Sequence, residues 1–78
     1  MLNEFNNIKK NFNEDVVEFN VRFQKAMHKL LLVIRLDDRV YLVTYLNAFD
    51  SKMGYLLRYK NPWTLVEAYQ LAVNIESN

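Results

Sequence analysis

The apolar residues Val16, Phe19, Phe23, Ala26, Met27, Leu30, Leu31 and Ile34 advance by three or four positions, the spacing of one face of an α-helix. A stripe that long commits a 78-residue chain to burying the helix against other elements. Glu14, Asp15 and Glu18 favour the positive end of the helix dipole, and Asn13 is a good N-cap, so the long helix is predicted to begin near Glu14. One glycine and one proline leave little material for a loop-rich fold.

Ahead of this helix, Leu2, Phe5 and Ile8 form one stripe of a short first helix that frays unless docked. Asn11-Phe12-Asn13 interrupts the pattern, because Asn competes for backbone hydrogen bonds. Asp37 is suited to cap a further helix running to about Phe49, whose inward stripe reads best as Leu42, Leu46 and Phe49, with Val43 beside it. Ser51 then caps a short helix carrying Met53, Leu56 and Leu57, slightly weakened by Gly54 and stopped before Pro62. Thr64-Leu65-Val66-Glu67 reads as a capping box that starts a last helix with Leu65, Ala68, Tyr69, Ala72 and Ile75 inward. The expected fold is all-α, a compact bundle of about five short helices in a single domain over residues 1–78.

Ten Lys and Arg against nine Asp and Glu give a net charge of +1, too small for a strong field toward nucleic acid or an anionic membrane. Without Cys there is no disulfide, thiolate metal site or cysteine nucleophile, which suits a reducing compartment. The longest apolar run, Leu30 to Ile34, falls far short of the roughly 20 residues of a membrane span, and no signal-peptide pattern is present. No membrane partner is expected. His28, the sole histidine, has no companion ligand and reads as a helix-surface residue. Asp37 and Asp38 point apart as neighbours do, and no phosphate loop or nucleophile–base spacing occurs. Neither a metal, a cofactor nor an enzymatic activity is expected.

Within residues 14–23, Glu14, Phe19, Arg22 and Phe23 resemble the core of the major homology region of retroviral and retrotransposon Gag proteins: a Glu eight residues before an Arg that is followed by an aromatic. Tyr45-Leu46-Asn47-Ala48-Phe49, Tyr55-Leu56-Leu57-Arg58, Pro62-Trp63-Thr64-Leu65-Val66-Glu67-Ala68 and Ala72-Val73-Asn74-Ile75-Glu76 look like successive blocks of the Gag domain of gypsy-type LTR retrotransposons. The resemblance implies a capsid C-terminal domain, all-helical and related to the dimerisation modules of SCAN domains and the neuronal Arc protein. It implies that Glu14 and Arg22 tie the turn before the long helix to the rest of the domain. A separation of eight residues exceeds two helical turns, so the two need not touch directly. Phe19 and Phe23, one turn apart, should be core. Lys10 and Asn11 stand where the family has a polar Gln and a small Gly. Phe12 and Leu36 replace common prolines, and Tyr59 and Trp63 replace commoner polar residues, changes that suggest tighter packing or a new interface.

The implied function is structural: a protein–protein assembly domain that forms a homodimer and contributes one contact to a larger capsid, alone or with other Gag domains. A cytoplasmic Gag assembly or virus-like particle is the implied setting. Val40, Tyr41, Thr44, Tyr45 and Ala48 lie off the inferred core stripe of their helix, and exposed apolar patches on small domains mark interaction sites. A two-fold interface centred on Tyr41 and Tyr45 is therefore predicted, the alternative being that neighbouring helices bury this helix all round. The short link from Leu36 to Asp38 also admits a domain-swapped dimer. Other readings are a domesticated or engineered interaction module that takes a partner helix or peptide in a groove, and a weak RNA-binding Gag fragment. Arg22, Lys25, His28 and Lys29 do line one side of the long helix, with Lys9-Lys10 before it. Interleaved acids and the lack of an aromatic stacking platform make this a solvated face, so RNA binding is not expected of this domain alone.

Overall fold

The computed structural model describes residues 2–77, which contain five helices and no strand. In chain order they are α1 (Leu2–Asn6), α2 (Val16–Leu31), α3 (Asp38–Asn47), α4 (Ser51–Lys60) and α5 (Leu65–Ser77). The all-α bundle expected from the apolar spacing is the fold observed. α5 packs against α2, α3 and α4 and so closes the bundle, while α1 docks on α2.

Local chemistry sets the helix ends, and several of them differ from expectation, α2 also stopping at Leu31 and leaving Ile34 exposed beyond it. Asp15 rather than Asn13 caps α2: its carboxylate accepts from the Glu18 N–H at 2.8 Å, and the Glu18 carboxylate accepts from the Asp15 N–H at 3.1 Å. A reciprocal capping box satisfies two donors where a lone Asn would satisfy one, and it leaves Glu14 outside the helix. Asp50 likewise caps α4 by accepting from the Met53 N–H at 2.8 Å, so Ser51 is its first helical residue. Asp37 caps α3 as expected, accepting from the Arg39 N–H, but α3 stops at Asn47. α4 ends at Asn61, whose φ of 51° is the left-handed conformation that Asn tolerates, and the buried Pro62 follows. At the start of α5 the Glu67 N–H donates to Thr64 Oγ1 at 3.2 Å, as expected. The Glu67 carboxylate reaches one residue further back than expected, to the Trp63 N–H.

Tyr45 is the centre of the core, with no exposed surface. Its ring stacks on Phe19 and meets Phe23, Phe49 and Tyr69 edge-on, with centroids 4.9–5.8 Å apart. Its hydroxyl donates to Asn20 Oδ1 at 2.5 Å inside the bundle. Tyr41 is also buried, packs edge-on against Phe5, and its hydroxyl accepts from the Leu36 N–H at 3.2 Å. Thr44 and Ala48 are buried with them. The predicted two-fold interface on Tyr41, Thr44, Tyr45 and Ala48 is therefore corrected: these residues form the inside of the fold, and of the five only Val40 is exposed. The reason lies in α3 itself, where apolar side chains are spread almost evenly round the axis and all four other helices contribute to covering them. Leu42 is buried and Leu46 and Phe49 partly so, as expected, but Val43 faces solvent.

Phe5 docks α1 through Phe23 and Tyr41. The expectation for the Leu2 side chain lies outside the described residues. Of the four added apolar residues, Phe12, Tyr59 and Trp63 are exposed and do not tighten the core; Leu36 packs partly against it.

Candidate functional site

The segment before α2 is fastened by Arg22. Its guanidinium forks onto Glu14, with Nη2 donating to Oε1 at 2.7 Å and Nε to Oε2 at 3.2 Å, and Nη2 also reaches the Lys9 carbonyl at 2.5 Å. The eight-residue gap does not keep the two apart, because Glu14 sits in the turn ahead of the helix and the chain folds back over α2. Glu14 also accepts from the Asn11 N–H at 2.8 Å. The Arg22 hydrogen bonds hold the Glu14 carboxyl below the usual carboxylate range, against the opposing effect of burial. Arg22 further lies 5.1 Å from the Phe19 ring centre, a cation–π contact that joins the staple to the core.

The same segment serves two helix ends. Lys9 Nζ donates to the Asn47 carbonyl at 2.8 Å and the Lys10 N–H to the Ala48 carbonyl at 2.9 Å, satisfying acceptors left over at the end of α3. At the start of α2, the Val16 N–H donates to both Glu76 carboxylate oxygens at 3.0 and 3.1 Å. A carboxylate from α5 thus sits on the positive end of the α2 dipole. The predicted row of cations is accordingly broken: Arg22 and Lys9 are engaged internally, while Lys25, His28 and Lys29 remain on the exposed side of α2.

At the far end of α2 an open groove of about 470 Å³ lies between the α2–α3 link, α3 and the start of α5. Leu31, Leu36, Trp63 and Val66 give it apolar walls, and Arg35, Asp37, Asp38 and Arg39 supply its charges. Trp63 is 75% exposed, and Leu31 and Val66 are exposed as well. Arg39 also lines two adjoining recesses that carry the apolar surface across α3 over Val40 and Val43. Sequence reasoning singled out Trp63 as an added apolar residue but did not connect it with Leu31 and Val66. The usable signal was the capping box, which fixes where α5 begins and therefore which side Trp63 and Val66 take.

Among the described residues no three His, Asp or Glu side chains gather as a metal site, and no helix is long and apolar enough to cross a membrane. Comparison with protein-family models, with curated proteins and with solved structures found no match.

Proposed function

We propose that this chain is a structural protein–protein assembly domain of the Gag capsid C-terminal type, which pairs with a second copy through the groove at the end of α2. The observation that carries the reading is the gathering of exposed Leu31, Trp63 and Val66, continued by Val40 and Val43, on one side of a domain whose core is otherwise well filled. The charges on that side favour self-association. Arg35 and Arg39 accompany Asp37 and Asp38, so a two-fold pairing brings cations of one copy toward anions of the other, whereas a strongly charged partner gains nothing. The Glu14–Arg22 fork supports the family resemblance by giving its two charged residues a structural task.

Molar mass by light scattering over a wide concentration range tests the proposal. The native chain is expected to dimerise, and the double substitution Trp63→Ser and Val66→Ser to give a helical monomer with stability changed by no more than about 0.5 kcal/mol. A dimer that survives the double substitution overturns the surface. A native chain that stays monomeric throughout overturns self-association and favours a module that takes a partner helix in the same groove.

A further inference from the structure

The solvent face of α4 combines charge and aromatic surface in a way the fold does not use. Gly54 and Leu57 are buried on the side toward α3, where a side chain added at Gly54 would lie 3.6 Å from the Leu46 carbonyl. At 100° per residue the opposite side of the helix carries Lys52, Tyr55 and Tyr59. Tyr55 is 66% and Tyr59 73% exposed, and their rings lie side by side with centres 6.4 Å apart and planes inclined by 32°. Neither ring joins the core aromatic cluster. Between Ser51 and Lys60 the helix has three cations and no acid, and the Asp50 carboxylate just before it is engaged on the Met53 N–H. All three cations are exposed, but Arg58 donates to Asn47 Oδ1, which leaves Lys52 and Lys60 to meet a ligand.

The ligand that matches this face is anionic and flat. An acidic peptide would satisfy the lysines but offer no planar groups to the rings. A second copy docked helix to helix would set cations against cations. A duplex keeps its bases paired inside. A single strand presents phosphates and unstacked bases together, and exposed aromatics bind bases without needing a particular sequence. We propose that the outer face of α4 is a contact site for single-stranded nucleic acid, with Tyr55 and Tyr59 stacking on bases and Lys52 and Lys60 holding phosphates. The cations on α2 considered from sequence are not part of it. Two phosphate contacts imply a shallow salt dependence, with a slope of about −1.4 in log K against log salt.

Fluorescence anisotropy of a labelled oligouridylate about ten nucleotides long, titrated with the native chain at low and near-physiological salt, provides the test. Tyr55→Ser with Tyr59→Ser is expected to weaken binding by about tenfold or more at unchanged charge. Lys52→Gln with Lys60→Gln is expected to weaken it and flatten the salt slope, while Lys25→Gln with Lys29→Gln on α2 changes it less than about twofold. All of these residues are exposed, so circular dichroism should show the fold intact. The proposal is overturned if the native chain does not bind at low salt, or if the tyrosine pair can be removed without loss. Equal losses from the α2 and α4 lysine pairs, or equal competition by polyglutamate or duplex RNA, overturn it as well, since each means general charge attraction.

Discussion

The two ends of α2 handle their surface groups in opposite ways. At the start, Arg22, Glu14, Lys9, Asp15, Glu18 and Glu76 are all engaged with one another or with backbone groups. At the other end, Leu31, Trp63 and Val66 stand exposed beside Arg35, Asp37, Asp38 and Arg39, of which Asp37 caps α3. One end spends its chemistry on holding the chain in place, and the other keeps apolar surface in reserve for contact. The difference separates the residues whose loss should unfold the domain from those whose loss should only change what it binds.

The strongest way to break that separation is to remove Arg22. Arg22→Ala strands the Glu14 carboxylate and the Lys9 carbonyl and deletes the contact over Phe19, so a loss of about 2–3 kcal/mol is expected in urea denaturation. Arg22→Lys, a point charge without the planar fork, should recover only part of it. A loss as small as that expected for the groove substitutions would erase the distinction between the two ends.

A smaller effect sharpens the same distinction within the core. Tyr45→Phe removes the bond to Asn20 and leaves that buried amide oxygen without its donor, which should cost about 1–2 kcal/mol. Among the described residues the buried Tyr69 hydroxyl finds no hydrogen-bond partner, so Tyr69→Phe should be neutral or slightly stabilising. Paired denaturation curves distinguish the two, and equal losses would mean that the Tyr69 hydroxyl has a partner in solution.

The smallest effect is on pH dependence. Burial pushes the Tyr69 hydroxyl up to about 12 and raises Tyr45 as well, from an ordinary value of 10.0. A group whose folded pKa is raised stabilises fully below its unfolded value and loses that contribution as pH rises. The melting temperature should therefore fall above about pH 10, and less steeply in Tyr69→Phe. Glu14 acts in the other direction: its lowered carboxyl stabilises above the ordinary carboxylate range and stops doing so as acid protonates it. Glu14→Gln should flatten the acid limb of the same curve.

The helices were legible because their signals are local: spacing for α2, Asp37 for the start of α3, and the Thr64–Glu67 pair for α5. The start of α2 was misplaced because Asn13 and Asp15 are both good caps in isolation, and only the reach of Glu18 back to the Asp15 N–H decides between them. The inner face of α3 was not legible at all. Tyr41 and Tyr45 read as outward because tyrosine is amphipathic, and the partners that satisfy their hydroxyls, the Leu36 N–H and Asn20, come from outside the helix. Of the candidate site, Glu14 and Arg22 were visible as a motif, but their direct contact depends on a turn that spacing does not encode. The groove was invisible because Leu31 and Trp63 are brought together only by tertiary packing.

The bond from the Val16 N–H to Glu76 spans 60 residues of chain. A ribosome adds Val16 to the chain 60 residues before the carboxylate that closes the first turn of α2. Until then the apolar stripe from Phe19 to Leu30 lacks α5 to cover it, and its first turn has only its local capping box. The growing chain therefore carries a sticky, half-finished helix until those 60 residues have followed, and neighbouring chains on one message would meet in that state before the domain has a finished surface to offer.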